Sequence, residues 1–404
     1  MGPIARLFGQ PHRLYLATAG LLLVLPLLWW GGYLYFRLTL PLAYKANPLA
    51  VHGFGLLYGV FPMAALGFLF TAFPRWTGTL DQLNQAYLGP WWALTVGSGF
   101  YFAQLWIGEP WGRIGAFLLF AGLLWALMHL VRLFRAGQGF EKRQPGYVLF
   151  ALFLGVVGSL FSLAHQLALT PQTYQLALSL GVYGFWPLLV LSISHRLVPF
   201  FTQSRMGDLG LKSYPQSLPL WTLGFLLKAL GQMTDRQELW ILSDSLLLVV
   251  TLVQFWGWKV WLPKKEGMLS YLYLSLYWLP VCLGLGFWAG VDRFLGGYNQ
   301  HLSLAGLHAL TIGLLAGMLL SMASRVYLGH SGQPVRANGF THLCFFFLQL
   351  AALSRVGLEL GMDGVPGLVT WIWLPVVFWL LCFGPWALRF LPLSFKPEGN
   401  EPNR

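Results

Sequence analysis

The sequence predicts an all-α protein, a polytopic bundle of membrane-spanning helices. Of its 404 residues, 57% are hydrophobic and 9% are charged, whereas soluble domains carry about 25% charged residues. Aromatic residues make up 17% of the chain and include 20 Trp, a residue that favours the membrane–water interface. The basic residues behind the net charge of +12 are scattered, which argues against a nucleic-acid partner. The lipid bilayer is therefore the predicted environment.

A helix needs roughly 20 predominantly apolar residues to cross a bilayer. Stretches that meet this requirement predict about twelve transmembrane helices, at 14–36, 48–73, 87–107, 112–134, 147–169, 174–201, 214–233, 237–262, 268–290, 300–324, 340–361 and 365–390. No small-residue cleavage site follows the first stretch, so we predict an anchor and not a removed signal peptide. Residues 1–404 are expected to form a single integral membrane domain.

The distribution of basic residues predicts the orientation of these helices. With both termini cytoplasmic, the cytoplasmic segments hold 18 of the 25 Lys and Arg residues and the outer segments hold 7. The cytoplasmic segments hold 6 of the acidic residues and the outer segments hold 7, so the whole net charge lies on the cytoplasmic side. This arrangement obeys the positive-inside rule, and we predict that both termini are cytoplasmic.

The nine histidines carry most of the information about a site, because polar groups at membrane depth are costly unless they face a site or a partner. In the predicted topology one group lies toward the outer ends of the spans, at His52, His165, His301 and His308. The others lie toward the cytoplasmic side, at His12, His129, His195, His330 and His342. Neutral imidazole is a common metal ligand and an axial ligand of b-type haem.

His52, His165 and His308 lie at similar depth on three different predicted spans. With a rise of 1.5 Å per residue, His52 lies about 6 Å and His308 about 12 Å inside its span. On span two, Gly59 lies seven residues after His52 on the same helix face, which leaves room for a flat macrocycle. These positions favour one shared cofactor site. The alternative is that each histidine only forms a hydrogen bond at a helix end.

Span ten has two distinct faces. His301 and His308 are seven residues apart and share one face. Gly306, Gly313 and Gly317 lie on the opposite face, where small residues let a neighbouring helix approach closely. We therefore expect the histidine face to meet the cofactor and the glycine face to pack against another span.

A second polar cluster is predicted at the cytoplasmic side, where His195, Arg196, Arg325 and His330 follow spans six and ten. This cluster could hold a metal, a haem edge or only a hydrogen-bonded latch. Asp244, within span eight, has two open interpretations: it pairs with the nearby Arg236, or it lines a proton route.

Three segments of the chain resemble the NnrS family of bacterial multi-pass membrane proteins. They are VHGFGLLYGVFPMAALGFLFTAFPRWTG at 51–78, HRLVPFFTQSRM at 195–206 and HALTIGLLAGMLLSMASRVYLGHSGQPV at 308–335. The resemblance implies a haem- and copper-containing protein of the bacterial cytoplasmic (inner) membrane that acts in nitric oxide metabolism or nitrosative-stress resistance. Nitric oxide and a redox donor are the partners it implies.

Carried over position by position, the resemblance supports His52, His308 and His165 as ligands of haem b. As possible metal ligands, for copper, we predict His165, His301, His330 and His195. The signature residues of the cytoplasmic side are Arg196, Pro199, Thr202, Arg325 and Gly329, with His330. One departure concerns span two, where His52-Gly-Phe-Gly-Leu lacks the second histidine and the glutamate of the family's His-x-His-Glu-Met run, which belong to one metal site.

A weaker likeness links the chain to the catalytic subunits of haem–copper oxidases and nitric oxide reductases. Those proteins also have twelve spans and haem ligands near the outer ends of spans two and ten. The chain lacks their His-Pro-Glu-x-Tyr run in span six and their tandem histidines in span seven. This likeness leaves a haem–copper type oxidoreductase that reduces nitric oxide or oxygen as an alternative function. A cofactor-free transporter is a further alternative.

Overall fold

The computed structural model describes residues 2–37, 40, 43–80, 84–138, 141–262, 267–362 and 364–397. All regular elements in these residues are helices, which confirms the prediction of an all-α bundle. We number the long helical units as spans 1 to 12 in chain order. They are Pro11–Phe36, Pro48–Thr77, Leu88–Ile107, Glu109–Ala136, Arg143–Gln166, Gln172–Met206, Ser217–Thr234, Gln237–Trp258, Gly267–Phe294, Gln300–His330, Gly339–Gly361 and Leu368–Phe395.

Within the described residues, ten of these units are long and apolar enough to cross a membrane, so the chain is a multi-pass membrane protein. The other two, spans 3 and 7, are continuous helices of 20 and 18 residues. The mean hydropathy of span 3 is lowered by Gly89, Gly97 and Gln104. The mean hydropathy of span 7 is lowered by Lys228. Both helices lie where the sequence predicts them, while the number of twelve membrane crossings stays a prediction.

Three spans contain a π-helical segment, a wider helix that is frequent at functional sites. The segments are Gly55–Val60 in span 2, Leu180–Phe185 in span 6 and Ala309–Ala316 in span 10. The first begins three residues after His52, and the third begins directly after His308. Each segment rotates the part of its span that follows relative to the part that precedes it.

Span 10 packs against span 9 through its glycine face, as predicted. A Cβ atom added at Gly313 would lie 2.3 Å from the ring of Trp278, and one at Gly317 would lie 2.4 Å from the hydroxyl of Ser275. Only glycine allows this close approach, since no other residue lacks a Cβ. The histidines on the other face are therefore held at a fixed distance from span 9.

The two ends of the chain lie at the same end of the bundle. A guanidinium nitrogen of Arg13 donates a hydrogen bond of 2.8 Å to the carbonyl oxygen of Lys396. The side chain of His12, at the start of span 1, stacks on His330, at the end of span 10, with ring centroids 3.9 Å apart. The terminal residues Met1 and Arg404 lie outside the described residues, and the cytoplasmic location of this end stays a prediction from the charge distribution.

Candidate cofactor site

A cavity of about 500 Å³ lies in the half of the bundle opposite the chain ends. Its walls come mainly from spans 1, 2, 6, 10, 11 and 12, and most of the side chains that line it are apolar. His52, His301 and His308 all line it. The volume falls within the roughly 300–1,000 Å³ of ligand and cofactor sites, which combine apolar walls with a few polar groups. The structure thus brings three of the four predicted outer histidines into one site.

Asparagine caps fix the first turns of both histidine-bearing spans. The side chain of Asn47 accepts hydrogen bonds from the backbone N–H groups of Leu49 and Ala50, and that of Asn299 accepts from those of His301 and Leu302. A side-chain oxygen at this position satisfies backbone donors that have no partner within the helix. Both helices therefore start at defined residues, which sets the depth of the histidines.

His308 is held in one orientation by its own helix. Its Nδ1 atom lies 2.7 Å from the carbonyl oxygen of Leu304. Because a carbonyl oxygen only accepts hydrogen bonds, Nδ1 carries the proton and donates it. In the neutral ring the lone pair is then on Nε2, which is the arrangement that metal-ligating histidines use.

His52 lies against Trp30 of span 1. The two rings are nearly parallel, at 10°, with centroids 4.0 Å apart. Among the described residues none donates a hydrogen bond to the His52 ring or accepts one from it, so stacking alone sets its position. Arg355 lines the same cavity as His52 and His308.

A polar cluster lies at the end of the cavity nearest the membrane surface. The carboxylate of Glu359 lies 2.6 Å from Nδ1 of His301 and also pairs with Arg355, one helical turn earlier on span 11. Glu359 is 1% exposed. A buried carboxylate requires such partners. Arg37, which follows span 1, lines the same cavity, and its Nε atom has no hydrogen-bond partner among the described residues.

The charge at this end of the cavity favours an anionic ligand. Arg37 and Arg355 bring two positive charges, and Glu359 is the acidic residue among the cavity-lining side chains that the structure describes. Guanidinium groups form paired hydrogen bonds with carboxylates. A ligand with an apolar body and carboxylates at one edge matches this arrangement of apolar walls and arginines.

His165 lies outside the cavity. It is in the last turn of span 5, in edge contact with the rings of Phe54 and Tyr174 at 5.9 and 5.3 Å between centroids. Tyr174 lines the cavity, so one aromatic ring separates His165 from it. The predicted role of His165 as a ligand has no geometric support from this position.

The space beside His52 comes from Gly53 and not from Gly59. A Cβ atom at Gly59 would lie 2.7 Å from the hydroxyl oxygen of Ser98 on span 3, so that side of the helix is already occupied. A Cβ at Gly53, which lines the cavity, would meet nothing within 4 Å. The expectation about Gly59 was wrong because it assumed α-helical periodicity across the π-helical segment Gly55–Val60.

The four residues of the predicted cytoplasmic cluster contact different neighbours. His195 accepts a hydrogen bond of 3.4 Å from Gln144 and donates one of 3.1 Å to the carbonyl oxygen of Tyr214. The remaining contacts are those of Arg196 with the ring of Trp76, Arg325 with the ring of Phe201 and His330 with His12. The two hydrogen bonds of His195 engage both of its ring nitrogens with residues outside the predicted cluster, and the latch stays a prediction.

The other signature residues have structural surroundings. Thr202 is buried, donates to the carbonyl oxygen of Val198 and shares a 2.8 Å hydrogen bond with the hydroxyl of Tyr273 on span 9. Pro199 lies inside the α-helix Trp186–Met206. Gly329 lies in the last turn of span 10. A Cβ atom added at Gly329 would lie 3.8 Å from a methyl carbon of Val335. Thr202 thus joins span 6 to span 9.

Asp244 pairs with Lys228 and not with Arg236. Both carboxylate oxygens lie 2.5 Å from the Lys228 ammonium, whereas Arg236 forms an exposed ion pair with Glu238 at 3.3 Å. Arg236 precedes the first turn of span 8, while Lys228 faces Asp244 from span 7. The interpretation of Asp244 as a partner of Arg236 was therefore wrong.

Sequence reasoning missed Arg37, Arg355 and Glu359, which form the polar end of the cavity. The signal for two of them was present: Arg355 and Glu359 are charged residues four apart inside an apolar span, where such residues are costly unless they pair or serve a site. Within the described ranges, the structure contains no group of three or more His, Cys, Asp or Glu side chains placed to hold a metal ion.

Comparison with known families gives a match over nearly the whole chain. The family model described as NnrS protein matches residues 6–397. The chain belongs to the NnrS family. Membership in the NnrS family indicates a membrane protein related to nitric oxide. A search of curated proteins finds no match to the chain. The NnrS match includes every cavity residue named above, from Trp30 to Glu359.

Proposed function

We propose that this protein binds a b-type haem in the 500 Å³ cavity, between His52 and His308, and acts in nitric oxide metabolism or nitrosative-stress resistance in the bacterial cytoplasmic membrane. One observation carries the proposal. Two histidines from different spans line a single, largely apolar cavity that also has two arginines at one end. Family membership supports the link to nitric oxide.

The residues present fit the chemistry of haem. The apolar walls suit a macrocycle, the Nε2 lone pair of His308 suits iron, and Arg37 and Arg355 suit the propionate carboxylates. His52, on span 2, would be the second histidine that holds the haem. Glu359 would keep Arg355 and His301 in place and would offset one of the two arginine charges before the haem binds.

When bound, the haem would supply redox and diatomic-ligand chemistry in this cavity. Contacts within the chain restrain the two histidines that would hold it. Trp30 restrains the His52 ring by stacking, whereas the hydrogen bond to Leu304 restrains His308. His308 would therefore be held in a more defined orientation than His52.

Copper fits the described residues less well than haem. His195 uses both ring nitrogens in hydrogen bonds, and His165 and His330 each contact an aromatic ring from a different part of the bundle. With no group of three potential ligands in the described ranges, we derive no role for copper.

An optical spectrum of the purified protein, with haem extracted and quantified as its pyridine complex, tests the proposal. We expect a Soret band, b-type signals and about one haem per chain. Addition of nitric oxide to the reduced protein should shift the Soret band. Purified, folded protein that takes up no haem when it is expressed with an excess of haem would contradict the proposal and favour a cofactor-free transporter.

A further inference from the structure

A second cavity, which we call the inner cavity, lies between the cofactor cavity and the end of the bundle with the chain ends. Its volume is about 80 Å³. Spans 1, 2, 6 and 10 line it with apolar side chains throughout, among them Phe61, Ala64, Trp186, Leu189, Leu315 and Met318.

Trp186 brings no unpaired hydrogen-bond donor to the inner cavity. Its indole N–H donates a hydrogen bond of 3.0 Å to the carbonyl oxygen of Leu57, within the π-helical segment of span 2. A buried water needs two to four polar partners, and cavities without them stay dry. The lining of the inner cavity therefore disfavours water and accepts an apolar occupant.

The size of the inner cavity limits what it can hold. An apolar cavity of about 150 Å³ in another protein stays dry and takes up benzene or xenon. The inner cavity has about half that volume, which suits an occupant smaller than benzene. Some of the side chains that line it, among them Phe68, Ile193 and Met322, are half-buried, so the inner cavity is partly open toward the outside of the bundle.

The inner cavity borders the cofactor cavity. Phe61 lines both cavities and is 3% exposed. On span 10, Ile312 lines the cofactor cavity, and Leu315, about one turn further on, lines the inner cavity. The Phe61 side chain therefore borders both spaces.

We propose that the inner cavity binds a small apolar gas of the nitric oxide or dioxygen class and holds it beside the cofactor cavity. The part of this proposal that concerns delivery to iron rests on the haem site proposed above. The gas dissolves in the bilayer and enters between the apolar spans. In the inner cavity it makes dispersion contacts with the lining, where water is disfavoured because it finds no hydrogen-bond partners. Rotation of the Phe61 ring connects the inner cavity to the cofactor cavity.

Xenon tests the binding site without any requirement for haem. In crystals of the full-length protein under xenon pressure, we expect a xenon peak bounded by Phe61, Trp186 and Met318. The Ala64→Phe variant, which fills the cavity from span 2, should lose the peak. Ala323→Leu fills it from span 10 and replaces Ala64→Phe if that variant does not fold. Ala103→Phe, at a half-buried site that lines neither cavity, should keep the peak.

Carbon monoxide rebinding after flash photolysis of the reduced, haem-loaded protein tests delivery. Xenon pressure and Ala64→Phe should both change the fraction that rebinds before escape, and Ala103→Phe should not. A wild-type crystal without xenon in the inner cavity, or with detergent or lipid density there, would overturn the gas site. If xenon binds in the inner cavity but neither xenon nor Ala64→Phe changes the rebinding of carbon monoxide, the proposed delivery of gas to the haem would be overturned. Protein that takes up no haem when it is expressed with an excess of haem, but still binds xenon, would contradict the proposed function and leave the gas site standing.

Discussion

Lys228 and Asp244 form a buried ion pair between spans 7 and 8, with the ammonium 2.5 Å from both carboxylate oxygens. Lys228 is 3% exposed and Asp244 is 0% exposed. The ammonium also lies 5.1 Å from the centre of the Tyr183 ring on span 6. Glycine at position 286 of span 9 allows the pair to fit, because a Cβ there would lie 2.6 Å from the carboxylate. Four spans therefore meet at this one pair.

Removal of one partner of this pair should destabilise the bundle more than removal of both. We expect Asp244→Asn or Lys228→Met to cost about 3–5 kcal/mol, since each leaves an uncompensated buried charge. The double variant Asp244→Leu/Lys228→Met should recover much of that loss. Thermal unfolding of detergent-solubilised protein measures the effect.

The exposed pair Arg236–Glu238 supplies the control for that experiment. Exposed ion pairs contribute little to stability, so Arg236→Gln should leave the unfolding temperature unchanged. Equal stability of Asp244→Asn and the wild type would contradict the description of a charged pair at this site.

Gly313→Ala should destabilise the contact of spans 9 and 10. The added Cβ would lie 2.3 Å from the Trp278 ring, and overpacking of this kind costs about 1–3 kcal/mol. Gly284→Ala, on span 9, is the matched control because its Cβ would meet nothing within 4 Å. We expect a lower unfolding temperature for Gly313→Ala alone. An unchanged or higher unfolding temperature for Gly313→Ala would contradict the close contact with Trp278, because alanine by itself favours a helix.

Arg37→Gln should weaken haem binding and leave the fold intact. The Nε atom of Arg37 has no hydrogen-bond partner among the described residues, so its removal breaks no contact at that atom. If Arg37 binds a propionate, its loss should cost about 1.5–3 kcal/mol, roughly a tenfold or larger decrease in affinity. Haem titration of the apoprotein measures this change. Arg113→Gln is the control, since Arg113 forms an exposed pair with Glu109; similar affinities for both variants would argue against a propionate contact.

Reporter fusions test the predicted orientation. A reporter inserted in the loop after span 4, next to Lys142, and one fused after Lys396 should both give a cytoplasmic signal, because the basic residues concentrate on that side. A fusion after Leu295, in the loop between spans 9 and 10, should give an outside signal. A cytoplasmic signal from this third fusion would overturn the orientation and the outer position of the cofactor cavity.

Much of the fold could be predicted from the sequence, because an apolar run of about 20 residues has few alternatives to a membrane helix. The shared face of His301 and His308 and the packing of Gly313 followed from α-helical periodicity. That same periodicity failed at Gly59, since no residue pattern identified the π-helical segment after His52. The pairing of Asp244 with Lys228, and the grouping of Arg37, Arg355 and Glu359, depend on how distant spans pack. Sequence spacing alone does not contain that information.

Replacement of the histidines, one at a time, by alanine tests the central claim most directly. Optical and electron paramagnetic resonance spectra of the haem-loaded protein should identify six-coordinate, low-spin iron in the wild type. We expect His52→Ala and His308→Ala each to convert the iron to high spin or to lower haem occupancy, and His165→Ala, whose side chain lies outside the cavity, to keep the wild-type spectrum. Wild-type spectra in both His52→Ala and His308→Ala, or a loss of haem confined to His165→Ala, would contradict the proposed site.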